Sequence, residues 1–159
     1  MWSHSSSRHF VPGLQRNVPD SILKLVGHGK HQTDGVIMVN FAPYFVSPHP
    51  STANLSLVAD HIDHIARITS RSHVGLGSDF DGIEAGPKGL EDVSTYPALV
   101  AEMIRRGWSD EDVEGLAGGN LIRVLEGVEA TKKDMEEKGE KASMAAYSKR
   151  TDLKRKMDW

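Results

Sequence analysis

Val36-Ile37-Met38-Val39-Asn40-Phe41 is a short, nearly unbroken apolar run rich in β-branched residues. Such a run suits a strand buried on both faces, as in a parallel sheet. A second run, over 73–78, passes through Val74-Gly75-Leu76 into the Gly/Asp-rich turn Gly77-Ser78-Asp79-Phe80-Asp81-Gly82. Residues 2–5 read as a strand stub that enters a polar loop, with Pro12-Gly13 as a turn signal. Between these runs the apolar spacing becomes helical. Asn17-Val18-Pro19-Asp20 predicts a helix start, with Asn17 or Ser21 as cap, Ile22, Leu23, Leu25 and Val26 following, and Gly27 and Gly29 ending it. Leu55, Val58, Ile62 and Ile65 fall on one face of a second helix. Pro97 suits the first turn of a third, which Gly107 stops. Ser109 and Asp112 resemble a capping box for a last helix carrying Val113, Leu116, Leu121, Val124, Leu125 and Val128.

The alternation of strand and helix predicts an α/β fold with parallel strands near 2–5, 36–41 and 73–78. Three βα units are too few to close an eight-stranded barrel, so a barrel would be represented only by a segment. Apolar periodicity fades after Thr131, where about half the residues are charged. The expected division is therefore a structured segment over 1–130 and a solvated helical extension with a loose tail over 131–159.

Composition narrows the chemistry. The 159 residues carry a net charge of −3, which gives no general affinity for nucleic acid. No apolar run approaches the length of a transmembrane helix. Cysteine is absent, so thiolate metal sites, disulfides and cysteine nucleophiles are excluded. A metal would need His, Asp or Glu ligands, and eight histidines are present.

The acidic pair Asp79 and Asp81 follows an apolar strand, where parallel α/β proteins place reactive groups. One or both could meet a metal, its bound water or a cationic amine, or simply cap backbone amides in a turn. Ile83 and Leu90 stand where a calcium loop needs oxygen ligands, which excludes an EF-hand. His4 ends the first strand among serines and could present a ring nitrogen to a metal, although such a histidine is more often solvated. Arg16, ahead of the first helix, could clamp a carboxylate. His61 and His64 flank the apolar stripe of their helix and are expected on its outer surface, bonded locally or paired with Asp60. His28 and His31 are expected to be solvated in a Gly-rich loop. Asn54-Leu55-Ser56 is a glycosylation triplet at a helix start.

Taken in order, these blocks resemble the renal (membrane) dipeptidase family. The resemblance rests on Ser3-His4-Ser5, Arg16-Asn17-Val18-Pro19-Asp20, Val36 to Phe41, Val58 to Ile65, Val74 to Gly82, Gly89 to Ser94, and Gly119-Asn120-Leu121-Ile122-Arg123-Val124. It covers roughly residues 3–130. It implies a (β/α)8 TIM-type barrel that holds two zinc ions and hydrolyses dipeptides, with this chain as its C-terminal three βα units. The family's zinc ligands are a His-x-Asp pair, a bridging Glu and two later histidines. His4 matches the last of these, and the other four have no match here and would lie upstream of Met1. Arg16 matches the residue that holds the substrate carboxylate. Asp79 matches an acid near the metal-bound water and the substrate amine. The loop Val11-Pro12-Gly13-Leu14-Gln15 is one residue longer than usual and replaces a Cys-containing segment.

The resemblance thus implies a zinc metallodipeptidase acting on dipeptides, with this chain alone expected to be inactive. The alternative is a non-catalytic half-barrel that binds partners or is a poorly folding, vestigial product, in keeping with the parallel edge that a missing first half would leave exposed; a homo-oligomer is a separate expectation. A phosphatase using Asp79 and Asp81 is disfavoured, because Gly82-Ile83 and the helical setting of the later lysines do not suit it.

Overall fold

The computed structural model describes residues 1–145, which fall into a unit of residues 1–127 and a second unit that begins at Val128. In the first unit, β1 (Ile37–Val39) and β2 (Val74–Leu76) pair in parallel, Ile37 opposite Val74 and Val39 opposite Leu76. On the other side of β1, Trp2 pairs in parallel with Ile37, and Ser5 N–H donates to Met38 O at 2.8 Å. All three expected strand regions are therefore parallel neighbours, in the order 2–5, β1, β2. β1 is buried along its whole length because strands flank it on both sides and helices lie against it.

The helices follow in chain order: α1 (Asp20–Leu23), α2 (Pro43–Val46), α3 (Leu55–Thr69), α4 (Tyr96–Arg105), α5 (Asp110–Glu114) and α6 (Asn120–Glu137). α3 is capped by Asn54, whose Oδ1 accepts from Leu57 N–H at 3.0 Å, and it buries Val58, Ile62 and Ile65. The glycosylation triplet is thus also a helix cap. Pro97 lies in the first turn of α4 as expected, and Ser109 and Asp112 form the expected capping box of α5. Phe41, Phe80 and Tyr96 meet with ring centroids 5.7–6.0 Å apart and join the ends of both strands to α4.

Two helices differ from expectation. α1 is a single turn, because Val26 leaves the helix to pair with Thr33, and Gly27 N–H donates to Thr33 O. Asn17 does not cap it: its Nδ2 donates to Phe45 O at 2.9 Å and Ser7 O at 3.3 Å, tying the loop to α2. The last helix is also interrupted. Gly115–Gly119 forms a wide turn between α5 and α6, and Asn120 sends Nδ2 to Val74 O and Arg71 O, both at 2.8 Å. A buried side chain that satisfies two carbonyls at the foot of β2 explains the break better than helix propensity does.

Gly77 stands where the segment before His4 crosses close to β2. A Cβ at Gly77 would collide with the Ser3 carbonyl and sit 2.9 Å from Met38 Cβ. Backbone cannot swing aside as a flexible side chain can. Gly77→Ala is expected to lower stability by about 2–3 kcal/mol, read as a lower urea midpoint; an unchanged midpoint would show that the approach is not tight in solution.

In the second unit, the described residues 128–145 comprise the remainder of α6 and a short exposed segment, with Lys138 paired to Asp134 at 2.6 Å. The expected loose tail falls largely on residues 146–159, outside the described residues. Among the described residues no helix is long and apolar enough to cross a membrane.

Candidate active site

A cavity of about 490 Å³ opens at the carboxyl ends of the strands, lined by His4, Asp79 and Asp81 with Ser78, Val93 and Tyr96. Asp79 lies three residues beyond β2 and adopts a left-handed conformation, φ 65°, which Asp tolerates better than most residues. The chain turns there, and Gly82 N–H donates to Asp79 O at 2.9 Å. A Cβ at Gly82 would meet the Asp79 carboxylate, so a side chain there would push that carboxylate from its place. Asp79 and Asp81 thus reach one cavity through a turn rather than through a continued strand.

Asn40, at the end of β1, fixes the Asp79 carboxylate. It is fully buried, its Oδ1 accepts from Ala42 N–H at 2.6 Å, and its Nδ2 donates to Asp79 Oδ2 at 3.0 Å. A backbone N–H can only donate, so the amide orientation is settled and the NH₂ must face Asp79. Ser6 Oγ donates to Asn40 O at 3.2 Å and carries this order towards the segment after His4. The sequence offers one signal for Asn40, a polar residue closing an otherwise apolar run, and reading that run only as a strand passes over it.

His4 is exposed, and its Nδ1 lies 2.7 Å from Ser3 Oγ. Arg16 is exposed too and does not line the cavity. Its carbonyl accepts from Ser5 Oγ at 3.4 Å, so its backbone lies one residue from His4. The structure brings His4 and Asp79 to one cavity and leaves Arg16 outside its lining.

His61 and His64 correct the expectation of an outer surface. Both are buried, at 0% and 5% exposure. Ser7 N–H donates to His61 Nδ1 at 3.0 Å, and His61 Nε2 lies 3.0 Å from Val46 O. A carbonyl cannot donate, so His61 is the neutral Nε2–H tautomer and joins three segments. Burial pulls its pKa down to about 4. Neither histidine lines the Asp79 cavity. Asp60, the expected partner, pairs instead with Arg106 of the loop after α4, at 2.7 Å. The helical face runs wider than the aliphatic stripe, because α2 and the loop after His4 cover its polar flank. His28 and His31 are exposed as expected, although His28 meets Asp34 at 3.3 Å.

The donors at this cavity fall short of the zinc pair that the resemblance implies. His4 is the only imidazole lining the cavity. Among the described residues, neither cluster of three metal-competent side chains includes His4, Asp79 or Asp81. By themselves these residues do not assemble such a centre.

A metallo peptidase from Rhodobacter sphaeroides, solved with a phosphinate mimic of the dipeptide L-Ala-D-Ala, superposes with a TM-score of 0.69 at 31% identity. The match covers 77% of this chain and 34% of that one. A dipeptidase described as a metallo peptidase of family M19 matches equally well, at a TM-score of 0.69 and 31% identity. The fold is that of part of a metallopeptidase. The family profile for membrane dipeptidase (peptidase family M19) matches residues 1–139, and the chain belongs to that family. An uncharacterized dipeptidase of Schizosaccharomyces pombe is 51% identical over 124 residues, which are 77% of this chain and 29% of that protein. Dipeptidase aclJ of Aspergillus oryzae is 45% identical over 130 residues, 81% of this chain and 30% of that protein. The chain therefore spans less than a third of the length of these curated relatives.

Proposed function

We propose that this chain is the C-terminal three βα units of a zinc-dependent dipeptidase barrel, with residues 1–130 forming part of the catalytic body and 131–159 a charged extension. The observation that carries this reading is that the Asn40-anchored Asp79 and His4 line one cavity at the strand ends. In that role His4 supplies one zinc ligand. Arg16 grips the free carboxylate of a dipeptide by charge-assisted hydrogen bonds. Asp79 accepts hydrogen bonds from the substrate's amino group or the attacking water, and Asn40 keeps one carboxylate oxygen turned inwards.

Further strands would pair beside residues 2–5 and beside β2, supplied by the same polypeptide or by another copy. The cavity's own donors do not hold a zinc pair, so no hydrolytic step is assigned to this chain by itself.

The test is a chimaera in which residues 1–139 replace the matching third of the S. pombe relative. It should hydrolyse a simple dipeptide. Asp79→Asn and Arg16→Met should each lower kcat/KM by about 10²-fold or more. Full activity in both variants would remove these residues from the reaction and sink the assignment.

A further inference from the structure

His9, Asp20 and His64 come from three separate segments: the loop after His4, the first residue of α1 and the middle of α3. One ligand atom from each lies within 4.8 Å of the others. His64 is buried, and its Nε2 lies 2.8 Å from Asp20 Oδ1. Two adjacent ligands of a tetrahedral zinc ion stand about 3.3 Å apart, so this pair needs to open by only a few tenths of an ångström. The His9 ring stacks on His64 with centroids 4.3 Å apart and planes 19° from parallel. Parallel rings cannot both aim an in-plane lone pair at one ion, so His9 has to turn out of the stack. It is exposed and free to do so.

The second cluster of this kind, His28, Asp34 and His73, makes an instructive contrast. There the Arg123 guanidinium already pairs with Asp34, and His73 Nδ1 lies 2.7 Å from Gly35 O. A cation would have to enter beside a fixed positive charge. Among the described residues Asp20 makes no ion pair with an arginine or lysine, and its side-chain partner is His64 itself.

We propose that His9, Asp20 and His64 form a binding site for a divalent transition-metal ion of the zinc class. Two neutral imidazoles and one carboxylate leave the remaining positions to water, the donor set that such ions favour. None of the three residues lines the His4–Asp79 cavity, so the site stands independently of the dipeptidase reading. A bound ion would tie the loop that carries Arg16 to α3, replacing the hydrogen bond between His64 and Asp20 with a stronger link.

The experiment is calorimetric titration of the full chain with zinc chloride, beside His9→Ala, Asp20→Asn and His4→Ala, with thermal unfolding measured on each. His9 is exposed and Asp20 partly so, which favours folding of their variants, and circular dichroism verifies it. One equivalent of zinc should bind the parent and His4→Ala alike, and should raise the unfolding midpoint of both. Affinity should fall at least tenfold in His9→Ala and in Asp20→Asn, and the thermal shift should vanish with it. Unaltered binding in those two variants, absence of any zinc-dependent shift, or loss of the equivalent in His4→Ala would each overturn the proposal. The last outcome would also move the ion to the cavity and favour the dipeptidase reading, so the two ideas fail separately.

Discussion

Assayed alone with added zinc, the 159-residue chain is expected to hydrolyse a simple dipeptide several orders of magnitude more slowly than a whole enzyme of the family. His4 is the one imidazole at the cavity, and the clusters able to hold a metal among the described residues lie elsewhere. A single imidazole binds zinc weakly, since catalytic sites use three protein ligands with oriented partners behind them. Arg16 and His4 are exposed, so their interactions with a substrate are weakened by water. The measurement is release of free amino acid from a dipeptide, with the His4→Ala variant as control. Brisk hydrolysis abolished by His4→Ala would refute the argument and would require ligands from a second copy of the chain.

That expectation separates the parts of the site that the sequence conveys from those it does not. The strand at 36–41 was legible because burial on both faces leaves a continuous apolar run, and its alternation with helices made the regions at 2–5, 36–41 and 73–78 parallel. The Asp79 turn was legible as well, since glycines at 77 and 82 bracket two acids after such a run. Side chains that bind distant backbone left no periodic trace. Asn17 reads as a helix cap by its position before Pro19, yet its amide crosses to Phe45 and Ser7. Asn120 reads as a helix residue, yet it closes the carbonyls of Arg71 and Val74. Asn40 reads as strand, yet it orients Asp79.

His61 and His64 show the same limit from the other side. Hydrophobic periodicity counts aliphatic residues, so a buried face completed by imidazoles looks narrower than it is. Their cover comes from segments far away in sequence, with Ser7 lying 54 positions before His61. Nothing within α3 itself announces that α2 and the post-His4 loop will close over that flank. A surface hydrogen bond or a pairing with Asp60 would each have left these rings open to solvent, whereas both are buried.

Mild acid should expose this hidden role of His61. Its pKa is pulled from 6.5 to about 4 because burial disfavours the imidazolium, while Val46 O only partly offsets that. The unfolded chain therefore binds more protons than the folded one between those values, and stability must fall as pH drops from 6.5 towards 4. The full shift corresponds to a loss on the order of 3 kcal/mol. His73, fully buried, is lowered in the same direction by burial and adds to the slope. Glu102 is held down to about 2 by Arg105 and Arg106, so its stabilising contribution is complete above pH 4.5 and is lost only below it. Between pH 6.5 and 4.5 the histidines act without it. Urea midpoints across that window should decline in the parent and decline much less in His61→Gln, whose amide can still accept from Ser7 and donate to Val46. An equal decline in both would show that His61 does not carry the effect. If the slope does belong to His61, protonation breaks the link from Ser7 to α3, and the strand that ends in His4 loses its anchor as the pH falls.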